Sequence, residues 1–465
     1  MKLFNTLTKK VEKLTPQQGN LIRIYSCGPT VYDHAHIGNL SSYIYADTLR
    51  RTIQSAGYAT SHTMNITDVD DKTISRSLES NHYDDPQTAL RQFTETYTQL
   101  FFDDMDAVGN HLSSFSFVKA TDYIDNMKLM IQNLVQNKVA YVAEDGVYFS
   151  ISAYQKRGKK YGQLLHLTQS NLSEQRINND EYDKETTHDF ALWKKRKDNE
   201  PYWQFQIENT QLDGRPGWHI ECSAMSEYSL GLPFDIHTGG IDLIFPHHEN
   251  EIAQSTALST NDIMAKVFFH NEHVLVEGKK MSKSLQNFYS IADIRSRDIN
   301  PLAFRVLTLQ SHYRSQSNFT WENLQLAQSL LLDIQAWADL RFQGLVSPKL
   351  QNVCQESIAQ IKESLFQDLH TPGALSHLAM LLKKTADIGA DSVAISEALP
   401  DIESLLGFGL LERQDINHTE LSLLHDRAQA RATNDWSMSD AVREELKQRG
   451  IHIRDTEQGQ IWSRL

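Results

Sequence analysis

The sequence predicts an α/β protein in which a parallel-sheet domain is interrupted by an inserted module, then followed by a helical bundle and a small α+β C-terminal domain. Three observations predict it. Strand and helix patterns alternate near the N-terminus and again over 205–270, a segment of different texture separates the two stretches, and strand signals nearly vanish beyond about residue 315. With 465 residues the chain exceeds one comfortable core, so two to four domains are expected.

Over residues 1–115, the apolar and β-branched run LIRIYSC (21–27) ends at Gly28-Pro29, and residues 39–51 then space Leu40, Ile44 and Leu49 near the helical period. A second extended run, Ala59 to Ile66, leads into TDVDDKTISRSL, where Thr67 or Asp68 is placed to cap a helix and Asp70 and Asp71 suit its positive end. The module over 116–204 carries a helix from Tyr123 to Val139 that packs Ile124, Met127, Ile131 and Leu134. A hairpin follows, with Tyr141-Val142 and Val147-Tyr148-Phe149 flanking the turn Glu144-Asp145-Gly146. Alternation resumes in PGWHIECSAM and FDIHTGGIDLIFPHHENEIAQS, so 205–270 is expected to complete the first sheet from the far side of the module. Residues 271–315 hold a lysine-rich loop and a linking region, and 316–405 show helical periodicity in WENLQLAQSLLLDIQAWADL and ALSHLAMLLKKTADI. The last segment, 406–465, reads as a helix from Thr419 to Ala432, a second helix capped by Ser437 and stopped at Gly450, and a hairpin of Ile451-His452-Ile453 with Ile461-Trp462.

No stretch approaches the roughly 20 apolar residues a membrane span needs, and MKLFNTLTKKVEKLTP alternates apolar and charged residues instead of building a secretory core, so a cytoplasmic protein without a membrane partner is expected. Three dispersed cysteines, Cys27, Cys222 and Cys354, with no CxxC pair, fit a reducing compartment. A formal charge of -14 excludes a general nucleic-acid coat protein, so any RNA contact must be local. The basic clusters Lys156-Arg157-Lys159-Lys160 and Lys194-Lys195-Arg196-Lys197 are candidates for it, or simply solvated loops.

Three motifs carry chemistry. In CGPTVYDHAHIGNL a strand ends in a Gly-Pro turn and delivers His34 and His36 to a helix start at Gly38, where free N–H groups and a positive dipole end suit phosphates and the missing side chain admits a flat base. In VEGKKMSKSLQN, Gly278 precedes Lys280 and Lys283 on a loop whose ammonium groups can close over a leaving pyrophosphate. In FPHHENE, Pro246 suits a first helical turn, and His247 and Glu251 lie four apart on one face able to grip a metal. On that helical spacing His248 and Asn250 point elsewhere, and no third ligand is named. Taken singly, the first motif fits a structural turn, the second a solvated loop, and the third a surface histidine beside a carboxylate.

The His-Ile-Gly-Asn stretch followed by Lys-Met-Ser-Lys-Ser resembles the two ATP motifs of class I aminoacyl-tRNA synthetases. The segments CGPTVYDHAHIGN, NITDVDD, PGWHIECSAM and FPHHENEIAQS resemble the cysteinyl-tRNA synthetase family, with a likeness that runs from the first strand to the terminal hairpin. The resemblance implies a Rossmann-like catalytic domain and one zinc ion per chain held by Cys27, Cys222, His247 and Glu251, a mixed soft and hard donor set suited to that metal. It implies that His34, His36, Lys280 and Lys283 are catalytic, that His36, Gly38, Asn39, Asp242 and Lys283 bind ATP accompanied by Mg2+, and that Thr67, Trp218 and His237 line a cysteine pocket. It further implies that Arg431, Trp436, Asp440 and Asp455 read the anticodon, and that the substrates are ATP, L-cysteine and tRNA(Cys), handled by a monomer. Without the family, Thr67 reads as a cap, Trp218 as a core aromatic and His237 as a satisfied strand-end histidine. Two departures stand out: Asn39 occupies the place of a histidine usual in the class, and Thr238 a place that looks like glycine in relatives, which puts the loop there in doubt. Cys354 matches no ligand and reads as a packed small hydrophobe.

The implied reaction activates cysteine with ATP, releases pyrophosphate and passes the cysteinyl group to a terminal ribose hydroxyl of tRNA. A pocket alone separates cysteine from serine by only about a hundredfold, whereas a metal adds preference for sulfur. Two rivals remain: a ligase that passes cysteine to an amino sugar, which would lack the terminal domain, and a zinc-containing RNA-binding module, which would lack the nucleotide motifs.

Overall fold

A computed structural model of the chain describes residues 1–79, 85–165, 189–281 and 287–464. Its centre is a five-stranded, all-parallel sheet. The strands are β1 (Leu21–Ser26), β2 (Ala59–Ile66), β3 (Ser116–Lys119), β8 (Phe234–Gly240) and β9 (Ala265–Asn271), in the order β9-β8-β1-β2-β3. Three strands precede the inserted module and two follow it, as the discontinuous pattern required. Period-two alternation sorts β1 between two cores: Ile22 and Ile24 face the one shared with the helical bundle, and Tyr25 faces the one shared with the module.

Helix α1 (Ile37–Ser55) follows β1, and α2 (Asp71–Glu79) and α3 (Pro86–Ala107) follow β2. Asp85 accepts from the N–H groups of Gln87 and Thr88, and Pro86 opens α3 at the position where a missing N–H costs nothing. Neither Thr67 nor Asp68 caps α2. Asp70 takes that role through the Lys72 N–H (2.8 Å), because Asp68 is turned to the N–H and hydroxyl of Thr121 and Thr67 to Glu221.

The module consists of α4 (Ile124–Gln136) and a four-stranded antiparallel sheet of β4 (Ala140–Val142), β5 (Gly146–Phe149), β6 (Phe190–Lys195) and β7 (Gly214–Pro216), in the order β7-β6-β5-β4. Both edges differ from the expected 116–204. Ser116–Lys119 hydrogen-bonds to β2 as the outer strand of the parallel sheet, and the antiparallel sheet continues to Pro216. Short strands at a change of sheet carry no periodicity of their own, so pairing alone assigns them.

Downstream of β9 come β10 (Val274–Val276), β11 (Lys279–Lys280), α7 (Leu302–Leu309) and β12 (Ser317–Phe319), with β10 pairing both other strands. Helices α8 (Trp321–Asp339), α9 (Leu350–Phe366), α10 (Thr371–Ile388) and α11 (Ser392–Leu406) form the bundle. Cys354 is buried in its core, as a small hydrophobe would be. The bundle is keyed to the sheet domain by fully buried Arg305, which donates to Asp47 of α1, to Asn110 and to the carbonyls of Val108 and Leu406. Asp47 also accepts from Arg50 and Arg51 (both 2.6 Å).

The C-terminal domain packs α12 (His418–Ala432), α13 (Trp436–Gln448) and the hairpin β13 (Ile451–Thr456) and β14 (Gly459–Arg464) around Leu424, Val442, Leu446, Ile451, Ile453 and Trp462. Asp435 caps α13 by accepting from Met438, where Ser437 had been expected. Among the described residues no helix is long and apolar enough to cross a membrane.

Candidate metal and nucleotide site

In an open parallel sheet, ligands bind beyond the carboxyl ends of strands where the strand order reverses. Here that point is β1, flanked by β2 and β8. Cys27 follows β1, Thr67 follows β2, His237 lies on β8, and Cys222 lies on α5 (Trp218–Leu230), which leads into β8. Cys27 N–H donates to Thr238 O, and the Thr238 hydroxyl meets Ser26 (2.6 Å). Thr238 is therefore a regular strand residue and needs no glycine.

The turn Ile244–His248 and helix α6 (Glu249–Thr256) supply the remaining groups. Cys27, Cys222, His247 and Glu251 converge so that one donor atom from each lies within 4.8 Å of the others, and Cys27, His237, His248 and Glu251 form a second, overlapping set. The measured separations are 4.0 Å for the two sulfurs, 3.8 Å for Cys27 to Glu251 Oε1 and 3.0 Å for His247 Nε2 to the same oxygen. Donors at about 2.0–2.3 Å from a tetrahedral zinc are roughly 3.3–3.8 Å apart, so the first set fits the ion. A second observation agrees. Buried His247 Nε2 has no hydrogen-bond partner despite its nearness to Glu251, while its Nδ1 meets His219 Nδ1 (2.8 Å), the arrangement of a ligand oriented by an outer partner.

His248 does not point elsewhere. Its Nε2 is 3.3 Å from Cys27 Sγ and its Nδ1 2.8 Å from His270, which reaches Thr6 in turn. His248 has helical backbone and stands three residues before Glu251, and residues three apart share a helix face as His247 and Glu251, four apart, do, so both histidines enter the cluster. Asn250 does point away, to Tyr161.

Electrostatics follow from burial and pairing. Burial pushes the Glu251 carboxyl up, but His237 (2.9 Å) and His247 outweigh it and hold the group down at about 2. The hydrogen bond from Cys27 draws the Cys222 thiol below its ordinary value, and burial drives that of Cys27 up. Burial also keeps His248 neutral. Of the predicted pocket residues, Trp218 stacks on His247 (4.0 Å between ring centres) and Thr67 bonds to Glu221.

The two nucleotide motifs meet. His36 caps α1 with Nδ1 accepting from Asn39 N–H, while Asn39 Oδ1 accepts from His36 N–H. A Cβ on Gly38 would strike Met281 of the lysine loop, and Ile37 N–H bonds to Tyr289 O beyond that loop. Phe288 lies against the His36 ring (5.2 Å). His34 is exposed, edge-on to Tyr97; Asp242 is exposed and folds back over Gly240; Lys280 is exposed on β11. Lys283 lies outside the described residues.

At the other end, Arg431 lies over the exposed Trp436 ring (5.4 Å) and 3.4 Å from Asp455, and Asp440 is exposed one turn along α13. Asp455 is already forked by buried Arg427 (2.8 and 2.9 Å), so it holds the arginines in place instead of standing ready for a base. The basic clusters of the module are largely satisfied: Lys194 pairs with Asp71, Arg196 covers Tyr202, Lys197 meets Glu200, Arg157 bonds Asn137 O and Lys159 pairs with Asp262.

Sequence reasoning missed His219, His248, His270, Asn65 and Glu221. For His270 and Asn65 the available signal was a polar residue set in an apolar strand, as in VFFHN, and for His248 its spacing of three from Glu251.

A family model described as the class I (C) tRNA synthetase catalytic domain matches residues 13–329, and one described as the cysteinyl-tRNA ligase anticodon binding domain matches 413–462. The cysteine–tRNA ligase of Chlamydia muridarum is 38% identical, with 98% of each chain covered. That of Brachyspira hyodysenteriae is 37% identical over 99% of this chain and 98% of its own. Among solved structures, Mycobacterium tuberculosis methionyl-tRNA synthetase with methionyl-adenylate superposes with a TM-score of 0.60 at 12% identity, covering 85% of this chain and 93% of that one; it shares the fold.

Proposed function

Since the chain belongs to the cysteine–tRNA ligase family of class I synthetases, we propose that it works in the cytoplasm, activates L-cysteine with Mg2+-bound ATP, releases pyrophosphate, and passes the cysteinyl group to the 3'-terminal adenosine of tRNA(Cys). The observation that carries this reading is the convergence of Cys27, Cys222, His247 and Glu251 beside the nucleotide motifs. A zinc ion held by those four residues would supply a Lewis acid that takes the thiolate of cysteine in preference to the harder, neutral hydroxyl of serine. Trp218, Thr67 and His237 orient the amino acid around that point.

Because His36 Nδ1 accepts from the Asn39 N–H, a neutral His36 ring carries its hydrogen on Nε2 and offers it to phosphate oxygens. The start of α1 adds its N–H groups and dipole, and Gly38 leaves room for the base. Asp242 holds the ribose. His34, Lys280 and Lys283 neutralise charge that grows on the departing pyrophosphate, so activation rests on positioning and electrostatics with no side-chain nucleophile. Arg431 and Trp436 meet the anticodon by stacking and hydrogen bonding, flanked by Asp440, with Asp455 as their support. The match over 413–462 disfavours the amino-sugar acceptor.

The test is ATP–pyrophosphate exchange with cysteine and with serine, followed by transfer to total tRNA and metal analysis of the purified protein. Exchange with cysteine only, cysteinylated tRNA and one zinc per chain are expected. Equal exchange with serine, or full activity without stoichiometric zinc, refutes the sulfur-sensing role.

A further inference from the structure

We infer that Glu221 is a positioning residue for the α-ammonium group of the amino-acid substrate, acting through the hydroxyl of Thr67; this rests on the proposed cysteine activation. Thr67, Glu221 and Asn65 are all buried. The Thr67 hydroxyl donates to Glu221 Oε2 (3.0 Å) and accepts from Asn65 Nδ2 (3.1 Å), and Asn65 is itself held by the Gly28 N–H at its Oδ1 (2.8 Å). A hydroxyl has one hydrogen and two lone pairs. The hydrogen is committed to Glu221 and one lone pair to Asn65, so Thr67 offers a ligand a single lone pair and no hydrogen. That complements an N–H donor and disfavours a carboxylate.

Glu221 Oε1 is buried without a hydrogen-bond partner, an unmet polar atom that an approaching cation relieves by favouring the charged form that burial opposes. Asp68 and Asp70, both buried, lie one and three residues after Thr67 but are taken by Thr121 and by the Lys72 N–H, which leaves Glu221 Oε1 as the unpartnered oxygen behind Thr67. Glu221 also precedes Cys222 on α5. One helix thus places a sulfur at the metal cluster and a carboxylate behind Thr67. The sulfur and nitrogen of cysteine are separated by only three bonds, so neighbouring residues of α5 address both ends of one small molecule.

The test compares cysteine with 3-mercaptopropionate, which keeps the thiol and carboxylate and lacks the amine. In Glu221→Gln, the KM for cysteine in pyrophosphate exchange rises about tenfold to a hundredfold, the loss of a charge-assisted hydrogen bond. The kcat at saturating cysteine, the zinc content and the inhibition constant of 3-mercaptopropionate stay within about threefold. Thr67→Val shows the same split, and the double variant is no worse than Thr67→Val alone because the two residues act in series. An unchanged preference for cysteine over 3-mercaptopropionate in Glu221→Gln overturns the inference, as does equal weakening of both ligands, additivity in the double variant or loss of zinc. Failure of the unaltered protein to exchange pyrophosphate with cysteine instead removes the underlying function, so the two failures are distinguishable.

Discussion

Cys222→Ser separates the two overlapping donor sets, because Cys222 belongs to one of them only. The substitution keeps shape and exchanges a soft, polarisable donor for a harder hydroxyl on a shorter bond. Cys222 is 1% exposed, so water is poorly placed to substitute for the lost sulfur. Structural zinc sites are worth about 10–16 kcal/mol, and one donor of four therefore accounts for about 3–4 kcal/mol, a loss of roughly 10² to 10³ in zinc affinity. His248→Gln is the control. His248 touches Cys27 through Nε2 and is oriented by His270, and removal of such an outer partner weakens a site about tenfold to a hundredfold. The assay is competition with a chromophoric zinc chelator at neutral pH, with circular dichroism to confirm folding. A larger loss in His248→Gln than in Cys222→Ser would falsify the assignment and transfer the metal to Cys27, His237, His248 and Glu251.

Asp47→Asn leaves the buried guanidinium groups of Arg50, Arg51 and Arg305 around a neutral amide and is expected to cost about 3–5 kcal/mol, read by denaturant or thermal unfolding. Burial pushes the Asp47 carboxyl up, but Arg51, Arg305 and Arg50 hold it far below the ordinary range, so its contribution is complete above the unfolded value near ~4 and is lost only as pH falls further. The deficit of Asp47→Asn should therefore be flat from about pH 5 to pH 8 and shrink below about pH 4. Gly38→Ala displaces the flexible end of Met281 at little cost but sets a methyl group 3.0 Å from the His36 ring, which the cap to Asn39 holds, so the KM for ATP should rise about threefold to tenfold, the low end of overpacking at about 1 kcal/mol. Trp436→Ala removes an exposed stacking platform, and the KM for tRNA should rise about tenfold or more while cysteine-dependent pyrophosphate exchange is unchanged. A parallel loss of exchange would show that Trp436 supports folding instead.

The joint around Arg305 ties the two ends of the proposed reaction to one frame. Helix α1 carries His36 and Gly38 at its start and Asp47, Arg50 and Arg51 in its later turns, and Arg51 donates to the carbonyls of Glu403 and Gly109. The bundle that leads on to the anticodon-type domain is thereby fastened to the helix that begins at the nucleotide motif.

The sequence by itself determined the α/β class, the interruption of the parallel sheet, the helical region and the terminal hairpin, and through the resemblance it nominated four candidate metal donors. Apolar periodicity and turn chemistry are local and survive in a string of letters. Only the tertiary structure decided which strand owned Ser116–Lys119, that Asp70 and Asp435 cap where Thr67, Asp68 and Ser437 had been expected, and that Asp455 is spent on Arg427. It also decided that His248 joins the cluster. His247 and His248 stand four and three residues before Glu251, both on its side of the helix, and only the assembled cluster shows that His248 also reaches Cys27. The histidines behind the donors, and Glu221 behind Thr67, come from strands and helices far apart in the chain. Their partnership depends on sheet order, which chain folding sets and residue spacing does not record.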